Sequence, residues 1–153
     1  MDLIDRKILG LLQRNTALSL AELSEQVGLS SSPCWRRIQN LEAAGVITGR
    51  VALLDRRRLN LRTVVFVRIK TDDHSQAWLD RFAEAISTID EVVEFYRMGG
   101  DTDYLLKIVV PDIDAYDQVY KRLIQVPGLA DVSASFAMEE IKHTTALPLD
   151  YVE

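Results

Sequence analysis

Ser31, Ser32, Trp35, Arg36, Gln39 and Asn40 are the side chains of this sequence best suited to chemistry, and that chemistry is recognition. Arginine offers paired donors, and glutamine and asparagine a donor beside an acceptor, that match base edges, and serine hydroxyls serve in either role. Arg37 and Arg50 add charge suited to phosphate oxygens. The spacing puts the first six on one side of a helix. Cys34, Ile38 and Leu41 recur at i, i+4, i+7 and should point inward, leaving the polar set outward. Ser30 can cap this helix, Pro33 suits its first turn, and Gly45 stops it.

The elements that must position this face come just before it. Ser19 is an N-cap, and Glu22 three residues later completes a capping box. Leu20, Leu23 and Val27 form one buried stripe, and Gly28 ends the helix with a residue that accepts positive φ. Helix, glycine turn and second helix with an outward Arg/Gln/Asn face make a helix-turn-helix DNA reader. The same hairpin also occurs as plain core packing. Charge argues against that reading. Residues 1–60 hold nine Arg/Lys and six Asp/Glu, a net of +3, whereas residues 61–153 hold nine and seventeen, a net of −8. A basic module joined to an acidic one gives phosphate contact a local positive field, which the overall charge of −5 conceals.

Ahead of the reader, Asp2 can cap a first helix with Leu3 or Ile4, Ile8, Leu11 and Leu12 on its buried face. After Gly45, Val46 to Leu54 reads as a short strand or hairpin, a wing that carries Arg50 toward phosphate. Asp55-Arg56-Arg57-Arg58-Leu59-Asn60 follows as a charged connector whose arginines suit phosphate or solvent equally. The expected division is a reader over 1–50, a hinge over 51–60 and a second domain over 61–153.

That second domain alternates strand and helix patterns. Thr63 to Lys70 is a strand with Val65, Val67 and Ile69 on one face. Trp78 or Leu79, Phe82, Ala83 and Ile86 have helical period. Val92 to Met98 and Tyr104 to Val110 are strands around the loop Gly99-Gly100-Asp101-Thr102-Asp103. Asp112 caps a second helix with Ile113, Tyr116, Val119 or Tyr120 and Leu123 inward, and Val132 to about Lys142 is a long fourth strand. The order βαββαβ is a ferredoxin-like domain, an antiparallel sheet with both helices on one face. The fold class is therefore α+β. Phe66 and Phe95 are expected on the other face, which would seek a partner and favour a dimer.

Other function classes find less support. No apolar run nears the roughly 18 residues that span a bilayer, and MDLIDRKILGLL is too acidic at its start for a secretory signal. The expected setting is cytoplasmic. A single cysteine, Cys34, excludes a disulfide framework and a multi-cysteine metal site; on the inner stripe it reads as a small buried residue. An enzyme would have to use Asp101 and Asp103 with His74 or His143, but no HxxxH, HExxH or Gly-rich phosphate loop occurs. Neither catalysis, a metal nor a cofactor is expected. A sensor acting through a protein partner is a further alternative; DNA affinity that falls steeply with salt separates it from a reader.

Asp2 to Leu9, Gly28-Leu29-Ser30 with Ser32-Pro33-Cys34, Arg37 to Glu42, Gly45-Val46-Ile47, Gly100 to Leu106 and Phe136 to Lys142 together resemble the Lrp/AsnC, or feast/famine, transcription regulators. The resemblance spans nearly the whole chain. It implies a winged helix-turn-helix, a hinge strand and a βαββαβ amino-acid-sensing domain. It also implies homodimers, assembled into tetramers or octamers, on double-stranded DNA with an amino-acid effector at subunit junctions. By position, that pocket would use Gly100, Asp101, Thr102, Asp103 and Tyr104 with Ser135, Phe136 and Ala137. The chemistry fits: glycine lets amides approach a carboxylate, and an Asp accepts from an ammonium. Plainer roles stay open, with Gly99-Gly100 as a hairpin turn, Asp103 satisfying loop amides and Tyr104 in the core. The connector departs from the family's usual Leu-Asp-Pro and Leu-Gly: here Leu54-Asp55 precedes Arg56, and Leu59 precedes Asn60. His143 to Pro148 resembles a branch that includes regulators of sulfur-containing and other amino acids' metabolism.

Overall fold

The computed structural model describes residues 1–152; Glu153, the last residue of the expected second domain, lies outside them. Two compact units form, one from Met1–Leu53 with the residues from Lys142 on, the other from Leu54–Ile141. This differs from the expected division. The C-terminal segment, assigned by sequence to the second domain, packs with the reader because Leu149 joins the reader's apolar cluster.

The first unit holds α1 (Leu3–Leu12), α2 (Leu20–Val27) and α3 (Ser31–Ala43). Asp2 caps α1 by accepting from the Ile4 and Asp5 amides, while Asp5 reaches back to the Asp2 amide. Ser19 and Glu22 form the same reciprocal box on α2, and Gly28 closes that helix at φ +73°. Ser30 is the α3 N-cap residue, but its side chain makes no capping hydrogen bond. Ile8, Leu12, Leu23, Val27, Cys34, Ile38 and Leu41 are the buried centre. Leu3 is exposed, so Ile4 is the one that packs.

No strand forms over the expected wing, Val46 to Leu54. The Val46 and Ile47 amides both turn back to the Leu41 carbonyl, and Val51, Leu53 and Leu54 are left exposed with no partner strand.

The second unit holds β1 (Thr63–Thr71), α4 (Gln76–Ser87), β2 (Val92–Arg97), β3 (Tyr104–Val110), α5 (Ile113–Leu123) and β4 (Leu129–Phe136). The sheet order is β2-β3-β1-β4 with every neighbouring pair antiparallel, the split βαββαβ arrangement. Val65, Val67, Ile69, Leu106, Ile108 and Val110 pack under Trp78, Phe82 and Ile86 of α4 and Tyr116, Val119 and Leu123 of α5. The Trp78 indole donates to the Pro127 carbonyl at 2.7 Å, and Gly128, at φ +87°, fits beneath that ring only because it lacks a Cβ.

Three expectations change. Phe95 lies on the helix-covered face, edge-on to Phe82 at 5.3 Å, because the β2–β3 register shifts between Val92 and Glu94. A bulge there reverses the alternation that strand periodicity assumes. Phe66 does lie on the other face, beside Lys107 and Ser135. Ile113 is exposed, whereas Tyr116, Val119 and Leu123 are the inward residues of α5. Finally, β4 stops at Phe136, and Ala137 gives its amide to Val64 near the start of β1. Past that bond only Thr63 of β1 remains, and Met138 and Ile141 are exposed.

Candidate nucleic-acid interface and effector loop

The 3.6-residue period of α3 divides its side chains as the sequence requires. Cys34, Ile38 and Leu41 are buried, while Ser31, Ser32, Trp35, Arg36, Gln39 and Asn40 are exposed. Arg36 carries neither an ion pair nor a side-chain hydrogen bond among the described residues. Its five donors are free to meet an acceptor.

The two arginines expected at phosphates are engaged. Arg37 Nη1 lies 2.7 Å from Asp2 Oδ2 and 2.8 Å from Asp5 Oδ1, tying α3 to the N-terminus of α1. The amide of Asp5 and then the Arg37 guanidinium hold the Asp2 carboxyl below the usual carboxylate range. Arg50 Nη2 sits 2.7 Å from Glu42 Oε1, and Glu42 also accepts from the Gln39 amide at 2.9 Å. Asp2, Asp5 and Glu42 are the positioning residues that sequence reasoning missed. The available signal was Asp2 and Asp5 at capping spacing, which leaves a carboxylate oxygen over for a cation.

The loop after β2 is closed by the Met98 amide on the Asp103 carbonyl at 2.8 Å, with Gly100 at φ +104° making the turn. Asp103 satisfies backbone: its amide reaches the Ile69 carbonyl, and its Oδ2 accepts from the Thr71 amide at 2.9 Å. Its Oδ1 faces His74 Nδ1 at 4.0 Å. Tyr104 is core, its ring against Phe82, Phe95 and Trp78. A cleft of about 350 Å³ opens beside these residues, lined by His74, Ser75, Gln76, Leu79, Arg97, Met98, Asp103 and Tyr104. Gly100, Asp101 and Thr102 do not line it. Gln76 was not foreseen because only the fold brings α4 to the loop; Arg97 and Met98 adjoin the loop in sequence, where they read only as strand residues.

Ser135, Phe136 and Ala137 sit elsewhere. Ser135 pairs with Phe66, Phe136 packs edge-on to Tyr116 at 5.4 Å, and Ala137 is bonded to Val64. The Asp103 loop, in contrast, is bonded at Ile69 and Thr71. Seven steps along β1 lead from Val64 to Thr71, roughly 23 Å at the rise of an extended strand. One chain does not bring the two halves of the expected pocket together. His143, the other histidine weighed for catalysis, lies outside the cleft, and among the described residues no three His, Cys, Asp or Glu side chains gather as metal ligands.

Comparison with known proteins turns this geometry into kinship. Residues 64–147 match the family model described as the Lrp/AsnC ligand binding domain, and residues 1–48 match a winged helix-turn-helix DNA-binding model. The chain belongs to the Lrp/AsnC family. As a family member it is a transcriptional regulator that joins a DNA reader to a ligand-binding domain. It is 53% identical to the glutamate uptake regulatory protein of Zymomonas mobilis over 97% of this chain and 91% of that one. It is 49% identical to the DNA-binding transcriptional activator DecR of Escherichia coli, over 98% and 99%. An AsnC family transcriptional regulator from Agrobacterium tumefaciens superposes with a TM-score of 0.97 at 58% identity, each chain covered in full. A Neisseria meningitidis regulator, solved as a complex with L-methionine, superposes at 0.94 with 38% identity over 100% and 99%. No described helix is long and apolar enough to cross a membrane.

Proposed function

We propose that this Lrp/AsnC protein is a homo-oligomeric regulator of amino-acid metabolism whose effector is an amino acid held between subunits. The observation that carries this is the separation of the two pocket halves. The Asp103 loop and the Ser135–Ala137 end lie at opposite ends of β1, so a ligand touching both takes them from different copies. In the cleft, Arg97 supplies a cation for a ligand carboxylate, and the Asp103 oxygen facing His74 supplies an acceptor for its ammonium. Asp101, Thr102 and the Gly100 backbone would close over the ligand from the loop, with Ser135, Phe136 and Ala137 arriving from the second copy. The other sheet face, with Phe66 and Tyr96 exposed, is a surface for pairing two copies.

On DNA, Ser31, Ser32, Trp35, Arg36, Gln39 and Asn40 meet the major groove. Arg50, held by Glu42 at the end of α3, reaches phosphate, and Arg37 serves mainly to hold α3 in place. The relative solved with L-methionine makes that amino acid the first probe, followed by the other nineteen.

Complementation between subunits tests the composite pocket. Arg97→Ala and Ser135→Trp each should abolish the thermal shift given by the binding amino acid. Unfolding and refolding the two variants together should restore it in part, because mixed oligomers contain sites with both halves intact. No restoration, with both variants folded, places the site within one subunit and overturns the reading.

A further inference from the structure

Two chain crossings join the compact units, Leu53 to Leu54 and Ile141 to Lys142. Arg56 stands by both. Its Nη1 donates to the Leu61 and Arg62 carbonyls, each at 3.0 Å, and its Nη2 lies 3.8 Å from Glu140 Oε2. Glu140 is one residue short of Ile141, where the second crossing begins. The Arg56 side chain is only 22% exposed, so solvent screens the pair less than a surface one.

Beyond that crossing the chain lies along α1. Ala146, Leu149 and Val152 are the half-buried positions, every third residue, while Leu147, Pro148, Asp150 and Tyr151 face out. Leu149 enters the reader's apolar cluster, its Cδ1 3.9 Å from the point a Cβ on Gly10 would occupy. Gln13 holds the Leu147 backbone on both sides: its Nε2 donates to the carbonyl and its Oε1 accepts from the amide, each at 2.9 Å. Arg6 donates to the Val152 carbonyl. Apolar insertion with paired main-chain bonds is how a surface captures an extended peptide.

We propose that residues 146–152 are a second tether for the DNA reader, seated on α1 and kept in line with the connector by the Arg56–Glu140 pair. The proposal rests on the reader assignment above. A head on one connector turns about it freely. A second attachment removes much of that freedom, and a clamp between the two limits what remains. The range of distances between two readers in an oligomer is then narrowed, and with it the range of half-site spacings the protein accepts.

Full-length Leu149→Ser, a chain ending at Thr145, and Arg56→Ala separate the parts. Hydrogen exchange of the Arg6–Leu12 amides should rise roughly tenfold in the first two, with β1 and β3 amides unchanged, and should stay as wild type in Arg56→Ala. On duplexes with two half-sites at graded spacings, Arg56→Ala should flatten the dependence of affinity on spacing and keep wild-type affinity for a single half-site. Unchanged α1 exchange in Leu149→Ser overturns the seat. Unchanged spacing dependence in Arg56→Ala overturns the clamp. The single half-site measures DNA binding by itself, so failure of the reader shows there as lost affinity, whatever the spacing dependence does. In a Cys34→Ala background, a short bis-thiol crosslinker between Gly10→Cys and Leu149→Cys should give crosslinked monomer. A crosslinked dimer overturns the seat within one chain.

Discussion

On α3, Arg36 is exposed and unpaired among the described residues, whereas its neighbour Arg37 is held by Asp2 and Asp5. Helical geometry turns successive side chains by about 100°, which is enough to give one arginine to solvent and the next to α1. Their removal should therefore read differently. Arg36→Ala should relax the choice between operator variants by about 1–3 kcal/mol, the worth of a bidentate arginine–base pair. Arg37→Ala should lower the melting midpoint of the reader and weaken all duplexes alike. Competition binding against single-base operator variants checks both, and a uniform loss from Arg36→Ala would refute its base contact. The sequence showed which side chains of α3 face out, since burial follows period. It did not show their partners: nothing local to Arg37 announces two carboxylates more than thirty residues away. Asp103 teaches the same point, since the Thr71 amide it satisfies comes from another strand.

Among the elements, α1 and α2 depend most visibly on ionised side chains. Asp2 is held below the usual carboxylate range by the Asp5 amide and then Arg37, and Glu22 by the Ser19 hydroxyl and amide. A carboxyl whose folded pKa lies below its unfolded one stabilises the fold fully above the unfolded value, near pH 4. That stabilisation is lost as pH falls through the depressed folded values. Acid should therefore open the reader through these caps, seen as a steeper fall in α1 and α2 amide protection below about pH 4 than in an Asp2→Asn, Glu22→Gln double variant. Equal slopes would refute it. Capping signals were legible because they lie within four residues. The bulge in β2 was not, for it arises from pairing with β3, and it alone moved Phe95 to the covered face. Likewise β4 ends at Phe136, near the start of β1, a limit that no propensity within Ala137 to Ile141 expresses.

For the whole molecule, the charge division pointed to two parts, and two units formed with their own cores, but Arg56, Arg57 and Arg58, which supply most of the positive excess of residues 1–60, belong to the second unit. The C-terminal segment packs with the first unit, a seat that Leu147-Pro148-Leu149 carries too little pattern to name. Where the family's usual connector reads Leu-Asp-Pro, this chain has Leu54-Asp55-Arg56, and Arg56 closes the turn by hydrogen bonds. Cys34 has a consequence of its own. It is the sole thiol of the chain, wholly enclosed in the reader's centre, and burial pushes its pKa up. Iodoacetamide can then mark it only while that centre is breached, so labelling counts breaches of one unit and ignores the other. Followed by mass spectrometry, native protein should alkylate at least a hundredfold more slowly than urea-unfolded chain, and operator DNA should slow it further. Equal rates would mean the head is already ajar. The molecule thus carries its own stopwatch.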